Sequence, residues 1–287
     1  MGRIRIGVSG WDYDGWRGTF YPEDLPRGEE LAYAGQHFDV LEANSTFYGL
    51  REPATFARWR EALPADVALA VKGSRFITHQ KKLRGTGTAL ANFLASGVLE
   101  LGSSLGPILW QLPEQLHFDA ERVEAFLSGL PGDTDAAAEL ARGHDELVAN
   151  PAFGTGSARP LRHVLEVRHD SYRCEAMAAI ARRHGVALAV SHASAWPLIE
   201  EVTAGLVYVR LHGPEEPYAS AYDEEALGQW VRRLRRWRDG AQPDDARTIS
   251  DRPPARQGRD VDVCFNNDAA GYAPRQAARL RELVDVV

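Results

Sequence analysis

"HVLEVRHD", residues 163–170, opens as a strand, with Val164, Leu165 and Val167 large and apolar, and then breaks into a polar tail. Side chains alternate in direction along extended backbone, so Val164, Glu166 and Arg168 leave by one face. The same kind of segment, a short β-branched run closing on polar residues or glycine, recurs as "IRIGVSG" (4–10), "DVLEANST" (39–46), "ALAVKGS" (68–74), "PILWQLP" (107–113), "VALAVSH" (186–192), "LVYVRLHG" (206–213) and "VDVCFNND" (261–268). Between these runs, Ala-, Leu-, Arg- and Glu-rich patterns predict helices over 29–37, 54–62, 89–103, 120–130, 175–184, 224–238 and 275–284. Strands apolar on both faces that alternate with helices imply a parallel sheet covered by helices. Eight of them in 287 residues fit a closed (β/α)8 TIM-type barrel better than an open doubly wound sheet. The whole of 1–287 is read as one such barrel domain.

Three segments depart from the repeat. The link 193–205, "ASAWPLIEEVTAG", is short and broken by proline, so the barrel should be irregular between its sixth and seventh strands. Residues 131–161 read as an inserted short acidic helix followed by a Gly/Pro loop, and 241–260 as an inserted polar loop.

Composition sets the class. Hydrophobic residues at 44% and charged residues at 25% describe a globular chain. Its net charge of −7, from 33 Lys plus Arg against 40 Asp plus Glu, argues against a broad basic face for nucleic acid and leaves room for a local positive pocket. Cys174 and Cys264 stand far apart, without the spacing of a metal or redox pair, and the opening "MGRIRIGVSG" lacks the apolar run of a secretory signal. A reduced, cytoplasmic protein without membrane insertion is expected.

In barrels of this type chemistry sits at the C-terminal strand ends. Period two through each strand puts Glu166 and Arg168 on the same inward face as Glu42 with Asn44, Lys72 with Ser74, Gln111, Arg210 with His212, and Asn266 with Asp268. Any one such Glu/Arg pair is more often a satisfied ion pair than a working one. Gathering five charges in one mouth for stability alone would be wasteful, because buried ion pairs are usually no better than apolar packing. Lys72, Arg168 and Arg210 against Glu42 and Glu166 leave the mouth slightly positive within an acidic protein. That contrast suits a phosphate or carboxylate held by planar arginine donors, with Glu166 or Glu42 as a general base and Lys72 or His212 as an acid or electrostatic stabiliser.

Other stretches carry weaker signals. "SGWDYDGWRGTFYP" (9–22) gathers Trp11, Tyr13, Trp16, Phe20 and Tyr21, either as a hydrophobic lid or as a stacking surface for a ring. "RFITHQKKL" (75–83) is the most basic loop near the mouth, although a solvated charge run explains it equally well. His169, His192, His212, Glu42, Glu166 and Asp268 include metal-ligand types, but no ligand spacing joins them and three nearby cations would repel a metal. No cofactor is therefore expected, and a divalent metal is disfavoured.

"RIGVSGWDYDGWRGTFYPEDLP", "DVLEANSTFYGL", "LAVKGSRFITHQKKL", "LGPILWQLPE", "LEVRHDSY", "YVRLHG" and "CFNND" resemble, in order and spacing, the motifs of the YecE-like family, known as domain of unknown function 72. The resemblance spans nearly the whole chain. It implies a TIM-type barrel with a polar mouth and brings no established reaction, although such a barrel is similar to those of endonuclease IV and xylose isomerase. It also implies site positions at Trp11, Asn44, Arg75, His79, Gln111, His169, Asn266, Asn267 and Asp268, beside Glu42, Lys72, Glu166, Arg168, Arg210 and His212. The chain departs from the pattern at Ser191, His192 and Ala193, where the family tends to carry an acidic residue, and at Asp170, Ser171 and Tyr172, where it usually reads Pro-Ser-Trp.

The expected function is an enzyme of unassigned reaction, hydrolysis among the options, acting on a phosphorylated or other anionic small molecule or a nucleic-acid end. The alternatives are a non-catalytic ligand-binding barrel and a metal-dependent phosphodiesterase resembling endonuclease IV. Nucleic acid is the less supported partner, because no extended Lys/Arg stripe is visible.

Overall fold

A computed structural model describes residues 2–154, 156–269 and 271–285. Eight parallel strands, β1 (Ile4–Ser9), β2 (Val40–Ala43), β3 (Ala68–Lys72), β4 (Leu105–Gln111), β5 (His163–Glu166), β6 (Ala187–His192), β7 (Leu206–Leu211) and β8 (Asp260–Phe265), close into a barrel in chain order. Around them run α1 (Glu30–His37), α2 (Ser45–Tyr48), α3 (Pro53–Ala62), α4 (Gly87–Ala95), α5 (Ala120–Ser128), α6 (Thr134–Ala141), α7 (Glu175–Arg183), α8 (Glu224–Arg238) and α9 (Tyr272–Asp285). The TIM-type barrel expected from the strand inventory is the fold. The observed strands stop short of most of the predicted ones, because their polar tails leave the hydrogen-bond ladder to form the mouth.

Helix starts follow local chemistry. Asp119, Asp133 and Asp223 cap α5, α6 and α8 by accepting the amides of Arg122, Ala136 and Ala226 at 3.1, 2.8 and 2.8 Å. The predicted helix over 89–103 is instead two pieces, α4 and a 3-10 stretch, Val98–Ser104, parted at Gly97. Gly97 has φ 112°, a left-handed conformation that ends the helical run, and a Cβ there would meet the Pro53 Cα at 2.6 Å, so the break takes glycine. No helix forms within 193–205, the irregularity expected from that link.

Alternation splits the strands into two environments. Ile6, Val8, Leu69, Val71, Ile108, Trp110, Leu165, Val207 and Val263 face the helices in the main core. Val40, Ala70, Leu109, Val164, Ala187, Ala189, Leu206, Tyr208 and Cys264 fill the waist of the barrel interior. Below the waist, at the N-terminal end, Arg5 pairs with Asp262 at 2.9 Å and with Asp260 at 3.5 Å, and Arg162 joins Asp260 at 2.8 Å. Above it lies the second polar layer. Among the described residues no helix is long and apolar enough to cross a membrane.

Candidate functional site

Register sets the upper layer: Ser9 is level with Glu42, Gln111 with Glu166, and Ser191 with Arg210 across adjacent strands. Arg210 is completely buried and sits at the centre. Its guanidinium grips Glu42 through both oxygens, Nη2 to Oε1 at 2.6 Å and Nε to Oε2 at 3.0 Å, and reaches Glu166 Oε2 through Nη1 at 2.7 Å. Each carboxylate is then filled. Glu42 also accepts from the Ser9 and Tyr208 hydroxyls, and Glu166 Oε1 accepts from Ser191 at 2.9 Å and from Arg168 at 3.2 and 3.3 Å.

The charges settle accordingly. Burial pushes both carboxyls up, but the Arg210 charge, with Lys72 at Glu42 and Arg168 at Glu166, outweighs it; Glu42 is held below and Glu166 well below the usual range. His212 lies 3.3 Å from Glu166 Oε1 through Nε2, and its Nδ1 is 3.1 Å from Asn266 Nδ2. Burial lowers this imidazole to about 4, against the hydrogen bond to Glu166, so at neutral pH it is uncharged. With Asn266 donating to Nδ1, the proton sits on Nε2 and points at Glu166.

Lys72 stands apart from this saturated network. It is only 9% exposed, and its Nζ sits 4.5 Å from the centroid of the Phe47 ring. Among the described residues that amine has no hydrogen-bond acceptor and no ion-pair partner. Burial, followed by the charge of Arg210, lowers it to about 8 against the pull of Glu42 and Glu166. Arg168 lies 3.7 Å over the Trp196 ring and keeps Nη1 without a partner among the described residues. Trp196 also meets His212 edge-on at 4.9 Å and anchors its indole N–H on Glu114 at 2.8 Å, so the irregular link after β6 supplies one wall of the mouth.

The remaining predicted positions divide. Glu42, Lys72, Gln111, Glu166, Arg168, Arg210, His212 and Asn266 come together around the mouth. Asn44 borders it through Ser9, to which its Nδ2 donates at 3.1 Å, and with Trp11 it lines an adjoining cavity of about 380 Å³ shared with Arg51, Arg58 and Trp59. His79 meets Phe47 edge-on at 5.0 Å and is lowered to about 4 by burial and by Lys72, while Arg75 is exposed at the start of the same turn. His169, Asn267 and Asp268 are engaged elsewhere. His169 binds Ser171 and lies 3.9 Å from the His117 ring, Asn267 ties Ser220 to Gln276, and Asp268 holds the Trp16 indole. Ser9, Ser191, Tyr208, Phe47 and Trp196 escaped the sequence reading. Period two through β1, β6 and β7 marks the first three, but nothing in the sequence aims Phe47 or Trp196 at the mouth. Among the described residues no group of three or more His, Cys, Asp or Glu side chains is placed to hold a metal ion. Arg210 fills the space between the two mouth carboxylates that a metal would need.

Comparison with known proteins agrees with this frame. The UPF0759 protein YecE of Escherichia coli O157:H7 is 27% identical over 251 residues, 84% of each chain, and the strain K12 protein matches equally. The crystal structure of a DUF72 family protein from Thermotoga maritima MSB8 superposes with a TM-score of 0.73 at 22% identity, covering 98% of this chain and 99% of the other. One from Enterococcus faecalis V583 gives 0.69 at 15%, covering 99% and 96%. These two show the fold alone. The family model for protein of unknown function DUF72 matches residues 5–286, almost end to end, and so the chain belongs to the DUF72 family.

Proposed function

We propose that the mouth of the barrel binds an anionic small molecule, a phosphorylated or carboxylate compound, and that the protein is an enzyme acting on it. The excess cation supports this reading. Glu42 and Glu166 are both taken up by Arg210, while among the described residues the Lys72 ammonium has no acceptor and Arg168 has donor capacity to spare. An ammonium on a largely buried side chain, with Glu42 and Glu166 already committed to Arg210, is costly to keep charged, and an anion from solution removes that cost. In this reading Glu42 and Glu166 act as counter-charges that fix Arg210, and the neutral His212, its Nε2 on Glu166 and its Nδ1 on Asn266, holds Glu166 in place. Trp196, with Arg168 stacked on it, orients the anion from the side. Calorimetric titration with inorganic phosphate tests the reading. Binding at one site per chain, weakened at least tenfold by Lys72→Met and by Arg168→Met and by raising the salt, is the expected outcome. If neither phosphate nor a small carboxylate such as citrate binds or raises the melting temperature, the reading fails.

A further inference from the structure

Of the 33 basic side chains in this protein, 30 are arginine and three are lysine: Lys72, Lys81 and Lys82. Lys81 and Lys82 lie outside the barrel, half-buried and exposed, and only Lys72 is inside it. If the mouth needed nothing but positive charge there, arginine, which this chain uses everywhere else, would supply it with more donors. What lysine offers and arginine does not is an amine that can shed its proton and attack. We infer that Lys72 is a nucleophile that forms an imine with an aldehyde or ketone group on the anionic ligand. This inference rests on the anion-binding reading and names the ligand class more closely, as an anion that also carries a carbonyl group.

The surroundings suit the role. Nζ lies over the Phe47 ring at 4.5 Å, without a hydrogen-bond or ion-pair partner among the described residues, in a residue about nine-tenths buried. The charged and titratable groups acting on it are Arg210 and Arg168, which disfavour its proton, Glu42 and Glu166, which favour it, and His79 beside Phe47, which is neutral. With the amine lowered to about 8, roughly a tenth is free base at pH 7, against about one part in three thousand at the ordinary 10.5. In the reaction the Nζ lone pair attacks the carbonyl carbon, the C=O π pair moves to oxygen, and a proton passes from nitrogen to that oxygen. The C–O bond of this adduct then breaks, the hydroxyl takes one more proton from solvent and leaves as water, and the nitrogen pair closes a C=N⁺ bond. No oxidant is needed. The iminium carries the same single positive charge as the ammonium it replaces, so Glu42 and Glu166 keep their electrostatic balance.

The test uses the native protein, glyoxylate as an anionic aldehyde, glycolaldehyde as a neutral one, and cyanoborohydride to reduce any imine to a stable amine. Mass mapping then covers only three lysines, two of them internal controls. The expected result is glyoxylate label on Lys72 at least tenfold above that on Lys81 and Lys82 together, suppressed by excess inorganic phosphate, with a labelling rate that rises through a midpoint near pH 8. Lys72→Arg should lose that label, whereas Lys81→Arg combined with Lys82→Arg should keep it on Lys72 and still bind phosphate in the calorimeter. Label confined to Lys81 and Lys82 while phosphate binds normally overturns the imine and leaves the anion site standing. Equal labelling of Lys72 by both aldehydes, indifferent to phosphate, supports the nucleophile and overturns the anion site.

Discussion

Arg168 and Arg210 both donate to Glu166, and replacing each by methionine should have very different consequences for folding. Arg168→Met removes two long hydrogen bonds to Glu166 Oε1 and the stack on Trp196, but Glu166 keeps Arg210 at 2.7 Å, Ser191 at 2.9 Å and His212. A loss of about 1–2 kcal/mol is expected, because the carboxylate is never left alone. Arg210→Met removes the ion-pair partner of Glu42 and leaves Glu166 with Arg168 as its remaining cation, both carboxylates being inaccessible to solvent, and the loss should reach about 3–5 kcal/mol, judged from the cost of breaking one buried pair. Urea unfolding followed by circular dichroism at pH 7.5 and pH 5 measures both. In the wild-type protein both carboxyls are held below their ordinary 4.5, so they contribute stability that is present above that value and lost as pH falls through their lowered folded values. Without Arg210 the sign should reverse for Glu42, which loses its ion pair while staying buried, so that its carboxylate costs more as pH rises and acid relieves the cost. The deficit of Arg210→Met should therefore narrow at pH 5, and adding Glu42→Gln should recover part of it at pH 7.5. An Arg168→Met loss as large as that of Arg210→Met, or a deficit that does not change with pH, would refute the assignment of Arg210 as the main counter-ion.

Two further outcomes are expected. Burial raises Asp268 to about 6 against the hydrogen bond from Trp16, so the Trp16 indole N–H resonance should titrate with a midpoint near pH 6, and Asp268→Asn should flatten it. Burial holds the Cys264 thiol well above its ordinary range inside the barrel while Cys174 is partly accessible, so a thiol-specific disulfide reagent should modify Cys174 alone in the native protein and both cysteines in denaturant.

Much of the mouth was legible because it rests on a simple rule, the alternation of side chains along strands. That rule placed Glu42, Lys72, Gln111, Glu166, Arg168, Arg210 and His212 on one face from five of the eight quoted segments. It lost force where the chain left the ladder, at Asp268, which turns to the Trp16 indole. His169 and Asn267, implied by the resemblance, point away as alternation requires, toward Ser171 and His117 and toward Ser220 and Gln276. Trp196 was hidden for a different reason: it lies in an irregular link whose path is decided by tertiary ties, Glu200 and Glu201 receiving the amides of Arg247, Ile249 and Ser250. The helical reading of 89–103 ran straight through Gly97, whose left-handed backbone ends the helix where Pro53 and Phe56 leave no room for a side chain. The polar layer beneath the waist went unread because "IRIGVSG" and "VDVCFNND" were taken for their apolar residues, and Arg5 and Asp262 point inward between them.

Arg210 joins β2 and β5 from β7, three strands none of which is adjacent to another in the closed ring. It works as a spoke, fixing the width of the mouth across the barrel where backbone hydrogen bonds fix it only around the rim. Under the anion-binding proposal, a ligand would meet donors already aimed and carboxylates already desolvated, so the work of arranging them would belong to folding and little would be left to binding. Recognition in this protein should then be closer to a key entering a finished lock than to a loop closing over its catch.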